Sequence, residues 1–107
     1  MMKAIRFFGV VTVTVLLTAA AAFAQSAGQA TYKAKCQSCH GVDGMAATSI
    51  GKLLKTLPVT DPVVKKNTVA QMFEFTKNGK DKMQPFKGKL TDAEIKGAVD
   101  YFRTFIK

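Results

Sequence analysis

Cys36-Gln37-Ser38-Cys39-His40 is the stretch on which the reading of this 107-residue chain turns. Two thiols two residues apart at the end of a helix can add across the two vinyl groups of haem, and the next residue then places an imidazole under the iron. The other uses of a Cys-x-x-Cys pair fit less well. A tetrahedral zinc site needs four ligands, and the chain holds 2 Cys and 1 His in total. A thioredoxin-like redox pair expects a strand-helix-strand surround, which is missing here. The motif therefore implies one covalently attached haem c, bound through Cys36 and Cys39, with His40 as an iron ligand.

A haem held by one histidine needs a second protein ligand or an open site, and that choice largely separates electron carriers from gas binders and enzymes. No second histidine is present, but 5 Met are. Met1 and Met2 fall in an apparent export signal. Met45 follows the motif too closely in a Gly-rich turn to reach the opposite haem face. Met72 sits within a helical apolar pattern and reads as core packing. Met83, in Lys82-Met83-Gln84-Pro85-Phe86, follows a helix stop and precedes a stiffening proline, so it is the expected second ligand.

Outward from these residues the chain reads as one small unit. Residues 1–24 have the form of a secretory signal: Lys3 and Arg6, an apolar run from Phe7 to Ala22, and Ala22-Phe23-Ala24 as a small-x-small cleavage pattern. A retained anchor is the competing reading, because the run is near the lower length for spanning a bilayer. Residues 25–107 then form the folded domain, of a size at which an apolar core alone is marginal and a bound cofactor is common. A first helix is expected from Gln25 to near Ser38. Glycines 41, 44 and 51 with Pro58 and Pro62 predict a long loop carrying one helical turn around Ile50 to Lys55. Thr68-Val69-Ala70-Gln71 and Thr91-Asp92-Ala93-Glu94 are capping boxes that open two more helices, the first ending at Asn78-Gly79. Val69, Met72, Phe73 and Phe75 make the apolar side of one; Ile95, Val99, Phe102 and Ile106 recur at helical spacing on the other, with Leu90 stapling onto Ile95. No period-two strand appears, so the fold class expected is all-α, with three main helices and loops wrapped around one haem.

These residues resemble the small class I bacterial c-type cytochromes. The similarity runs through Gly28 and Tyr32 before the motif, Gly41 with Asp43-Gly44 after it, Asn78-Gly79-Lys80 ahead of Met83, Phe86-Lys87-Gly88-Lys89-Leu90-Thr91, and a last helix with Tyr101-Phe102-Arg103. It implies the class I cytochrome c fold, His40 and Met83 as axial ligands, and one haem edge near solvent. It also implies a glycine on the first helix passing closely across the last against an aromatic, roles that fall to Gly28 and Tyr101. Two departures stand out. Many relatives place proline directly after the ligand methionine, where this chain has Gln84 and delays proline to position 85. Relatives also often have proline near Ser49, in a loop whose backbone accepts a hydrogen bond from the ligand histidine.

The formal net charge is +9, and it stays strongly positive with Lys3 and Arg6 set aside. Lys35, Lys80, Lys82, Lys87 and Lys89 flank the two ligand segments, which points to redox protein partners with acidic docking surfaces. Lys65-Lys66 reads simply as an exposed pair. No nucleic-acid fold pattern is present, and no stable membrane insertion is expected once the signal is removed. The expectation is thus a monomeric, periplasmic one-electron carrier of a respiratory chain, and not an enzyme. A haem-bearing subunit of a larger oxidoreductase is the nearer alternative. A sensor or peroxidase with an open iron is the further one. Cys36→Ala and Cys39→Ala should each weaken covalent haem retention in acid-solvent extraction; extraction-resistant attachment equal to the parent's would contradict the motif assignment.

Overall fold

The computed structural model describes residue 23 and residues 25–107. Apart from Phe23, the segment read as an export signal, residues 1–24, lies outside the described residues. Regular structure among the described residues is helical: α1 over residues 25–35, α2 at Gln37–His40, α3 at Ser49–Leu53, α4 at Pro62–Lys66, α5 at Val69–Asn78 and α6 at Asp92–Arg103. Extended pairing is confined there to two isolated bridges, Lys80 with Met83 and Lys87 with Leu90. No helix among the described residues is long and apolar enough to cross a membrane.

Both capping boxes form with both halves in place. The Thr68 amide donates to Gln71 Oε1 at 2.9 Å and the Gln71 amide donates to Thr68 Oγ1 at 3.1 Å. Thr91 and Glu94 repeat the arrangement at 3.0 and 3.1 Å. Two amide donors that the first helical turn leaves over are satisfied in each case. The Thr91 hydrogen bonds hold the Glu94 carboxyl below the usual carboxylate range. Helix α5 stops at Gly79, whose φ of +81° is easily reached without a side chain.

Two boundaries differ from the sequence reading. The first helix was expected to end near Ser38. Instead it is interrupted at Cys36, resumes as α2, and ends after His40, where Gly41 takes φ +82° and its amide donates to the Gln37 carbonyl at 2.8 Å. The stop is set by the first residue able to take that backbone angle, which is Gly41. The segment before Thr68 also holds a helical turn beyond the one expected near Ile50: α4, capped by Asp61, whose carboxylate accepts from the Val63 amide at 2.9 Å. Pro62 at its first position needs no amide partner, so Asp61-Pro62 is a helix start that was read only as loop. Lys65 and Lys66 end this turn and are exposed, as expected.

The core joins α4, α5, the following loop and α6: Val64, Met72, Phe86, Ile95 and Val99 are buried together, with Phe73, Met83, Leu90, Phe102 and Ile106 packed on them. Leu90 thus meets the cluster that contains Ile95, as the staple requires. Val69 is the exception on α5; it is 37% exposed, at the first position of the helix. Helix α1 crosses α6 backbone to backbone. A Cβ on Gly28 would overlap the Gly97 carbonyl oxygen and stand 2.8 Å from its carbon. One turn on, Tyr32, 1% exposed, lies with its ring centroid 5.2 Å from Tyr101 and 5.6 Å from Phe105. The close-packing partner of Gly28 is therefore Gly97, and Tyr101 packs against Tyr32. Gly28→Ala should lower the unfolding free energy of the haem-loaded protein by about 1–3 kcal/mol, as overpacking of a tight contact does. Gly97→Ala, whose Cβ would meet Gly28 Cα at 3.3 Å, should change it by less than about 1 kcal/mol because helix propensity offsets the squeeze. Denaturant titration of both variants checks the pair.

Candidate haem site

A cavity of about 540 Å³ opens between α2, α5, α6 and the loop that follows α5. That volume is within the range of roughly 300–1,000 Å³ typical of cofactor pockets. Cys36, Cys39, His40 and Met83 all line it, and so do Met72 and Phe102. Met45 does not line it and is 40% exposed.

The Cys-x-x-Cys-His wall is held from three directions. Tyr32 donates its hydroxyl to the Gly41 carbonyl at 2.6 Å, just beyond His40, and burial holds this phenol well above its ordinary range, so it stays a donor. Thr48, the N-cap of α3, donates to the Ser38 carbonyl at 2.6 Å and accepts from the Gly51 amide at 2.9 Å. Gly51 in turn packs its α-carbon so close to the Cys39 carbonyl that a Cβ would overlap it. This Thr48–Gly51 clamp was not read from the sequence. Its local sign is a threonine three residues ahead of a glycine, a spacing common enough to pass as an ordinary loop.

Cys36 and Cys39 are free, half-buried thiols. Before haem is attached, burial, helped by the neighbouring Cys39, pushes the Cys36 thiol up to about 11. Burial also pushes the His40 imidazole below its usual range, towards the neutral form that ligates metals. Its Nδ1 is buried with no hydrogen-bond partner, and its ring stands edge-on to Phe102 with centroids 5.2 Å apart. In the region where relatives supply an acceptor, Ser49 is the first residue of α3 instead. An orphaned imidazole nitrogen and two thiols on one wall, with Val64, Phe86, Val99 and Phe102 among the other lining residues, suit a covalently held metalloporphyrin.

Met83 enters from the opposite end of the chain on a pinned arm. Its amide donates to the Lys80 carbonyl at 2.8 Å and its carbonyl accepts from the Lys80 amide at 3.1 Å. The turn between them places Asp81 at φ +51°, a left-handed angle that aspartate tolerates better than most residues. Beyond it the Phe86 amide donates to the Thr76 carbonyl at 3.0 Å, fastening the arm to α5. Gln84, standing where relatives have proline, is exposed at the rim of the cavity and accepts from Lys89 Nζ at 3.2 Å. Met72 is 7% exposed, and its sulfur accepts from Arg103 Nη1 at 3.6 Å.

Comparison with known proteins agrees with this geometry. A family model described as cytochrome c oxidase, cbb3-type, subunit III matches residues 23–102. Cytochrome c6 of Gracilaria tenuistipitata var. liui is 33% identical over 75 residues, which cover 70% of this chain and 67% of that protein. Among solved structures, the KustC0563 c-type cytochrome superposes with a TM-score of 0.67 at 35% identity, covering 75% of this chain and 98% of the other. The chain belongs to the c-type cytochrome family. It has the class I cytochrome c fold, and its cofactor is covalently bound haem c, the group that supports electron transport in this family.

The clamp on the motif yields a direct test. Thr48→Ala removes both the α3 cap and the tie to Ser38 and should cost about 1–2 kcal/mol of stability. Thr48→Ser, which keeps the hydroxyl, should recover most of it. Equal denaturation midpoints for the parent and Thr48→Ala would show that the clamp is idle.

Proposed function

We propose that this cytochrome is an exported one-electron carrier: residues 1–24 direct it to the periplasm and are removed, and residues 25–107 carry one haem on Cys36 and Cys39. Its iron is held between His40 and Met83. Haem, when bound, supplies a one-electron ferric/ferrous couple whose potential a thioether ligand raises. The observation that carries the reading is that His40 and Met83 line one cavity from separately anchored arms, while the competing methionines are otherwise engaged. Met45 lies outside the wall, and the Met72 sulfur is taken by Arg103.

The protein's part in such transfer is to keep both ligands where they are in either oxidation state. Backbone hydrogen bonds at Lys80 and Thr76, and the Tyr32 hydroxyl on the Gly41 carbonyl, do this. Little then has to move when the charge changes. Apolar walls of Val64, Phe86, Val99 and Phe102 disfavour the extra charge of the ferric form and raise the potential further.

Lys35, Lys55, Lys80 and Lys82 also line the cavity, and Lys80 Nζ lies 3.9 Å over the Phe75 ring. With Lys87 and Lys89 nearby in the chain and exposed, they form a basic rim suited to acidic faces on redox partners of a respiratory chain. The protein acts as a monomer in this reading, meets its partners briefly and does not bind nucleic acid. A second reading is a haem-bearing subunit held in a larger oxidoreductase, the kind of protein that the matching family model is described by. Stable co-purification with an oxidase would select it.

The reduced, haem-loaded protein should show no absorption change with carbon monoxide. Met83→Ala should bind carbon monoxide rapidly and titrate at a lower potential, whereas Met72→Leu should do neither. Carbon monoxide binding by the parent would mean an open iron and overturn the carrier reading. An unchanged potential in Met83→Ala would move the ligand to another methionine.

A further inference from the structure

Arg103 occupies the last turn of α6 and is half-buried. Its Nη1 donates to the Asn67 carbonyl at 2.9 Å and to Met72 Sδ at 3.6 Å. Met72 lines the cavity, so the guanidinium stands one side chain behind the haem wall. Both of its partners are neutral. Ion pairs among the described residues join Lys77 to Asp92 and Lys96 to Asp100; none involves Arg103. Asp100, one turn back on the same helix, is held 2.8 Å from Lys96 Nζ. Arg103 is cationic, and no carboxylate among the described residues pairs with it.

Removing a cation partly from water without an anionic partner is costly. A neutral donor would tie Asn67 to α6 just as well at less cost. What only the cation supplies is a fixed positive potential at the cavity. Reduction adds one electron to ferric haem, with no bond made or broken, so the oxidised centre carries one more positive charge than the reduced one. A nearby cation raises the energy of the oxidised form more, and half-burial reduces the screening that water and salt would impose.

We propose that Arg103 is a tuning residue that raises the reduction potential of the haem iron through its positive charge, which no carboxylate among the described residues pairs with. The inference rests on the cavity holding the redox centre as set out under Proposed function. Its test uses the haem-loaded full chain in spectroelectrochemical titration at low ionic strength. Arg103→Gln keeps a hydrogen-bond donor for Asn67 but loses the charge; Arg103→Lys keeps the charge but loses the fork. At a fixed ambient potential Arg103→Gln should shift the ferrous-to-ferric ratio roughly three- to tenfold towards ferric, a tenfold change being about 59 mV for one electron. Arg103→Lys should stay within about twofold of the parent. Arg103→Met supplies a second uncharged comparison should Arg103→Gln fail to mature.

A merely structural tie makes the opposite forecast: lower unfolding midpoints with an unmoved potential in Arg103→Gln. That result would overturn the proposal, as would equal shifts in Arg103→Gln and Arg103→Lys. The ferric absorption band of a thioether-ligated iron should be the same in all the variants, which separates tuning from ligand exchange. Failure of the Met83 assignment reads out elsewhere, as carbon monoxide binding by the parent protein.

Discussion

Two helices in this protein touch through their backbones, and the site depends on that contact. At Gly28 and Gly97 neither helix presents a side chain, so α1 and α6 approach to a separation that a Cβ on Gly28 would forbid. The approach brings Tyr32 against Tyr101 and Phe105, and His40 of α2 stands edge-on to Phe102. From Gly28 to Cys36 the helix advances about 12 Å, so a change in the crossing would displace the thiols and His40 together. Tyr32 then fixes the chain after the motif through the Gly41 carbonyl. Crossing and haem wall form one mechanical unit.

The arm that carries Met83 is built on different terms. Phe86 anchors the Met83 loop in the buried cluster. It is also fastened by amide and carbonyl groups to Lys80 on one side and to Thr76 and Lys77 on the other. Gly79 makes the exit from α5 possible, with Met83's own carbonyl 3.0 Å from where a Cβ would stand. Met83 is thus placed in the cavity wall by backbone geometry.

Around both arms the protein core and the cofactor site share their walls. Met72, Phe86 and Val99 belong to the buried cluster and also line the cavity. In a domain of this size the apolar area available to the chain alone is small, so the bound haem completes the core as well as performing the redox chemistry. Electrostatic fine structure then sits just behind those walls, where Arg103 touches Met72. In the proposed reading its effect falls on the redox equilibrium, and that of Lys80 and Lys82, which line the cavity, on encounter with partners.

Local chemistry made much of this legible in the residues themselves. Cys36, Cys39 and His40 are adjacent, and their spacing alone matches the group they hold. Thr68 with Gln71 and Thr91 with Glu94 mark helix starts because each box closes within four residues. The α4 turn escaped notice although Asp61-Pro62 signals it, since prolines and glycines in the same stretch spoke for loop. What no local pattern could supply was proximity between distant segments: Gly97 beneath Gly28, Thr48 on the Ser38 carbonyl, Arg103 on Met72. Met83 could be singled out as a ligand candidate by elimination, but its arrival in the cavity of His40 depends on where α5 and α6 pack. Such contacts are settled by the packing of helices against one another, and that packing is a property of the whole fold, absent from any single stretch of the chain.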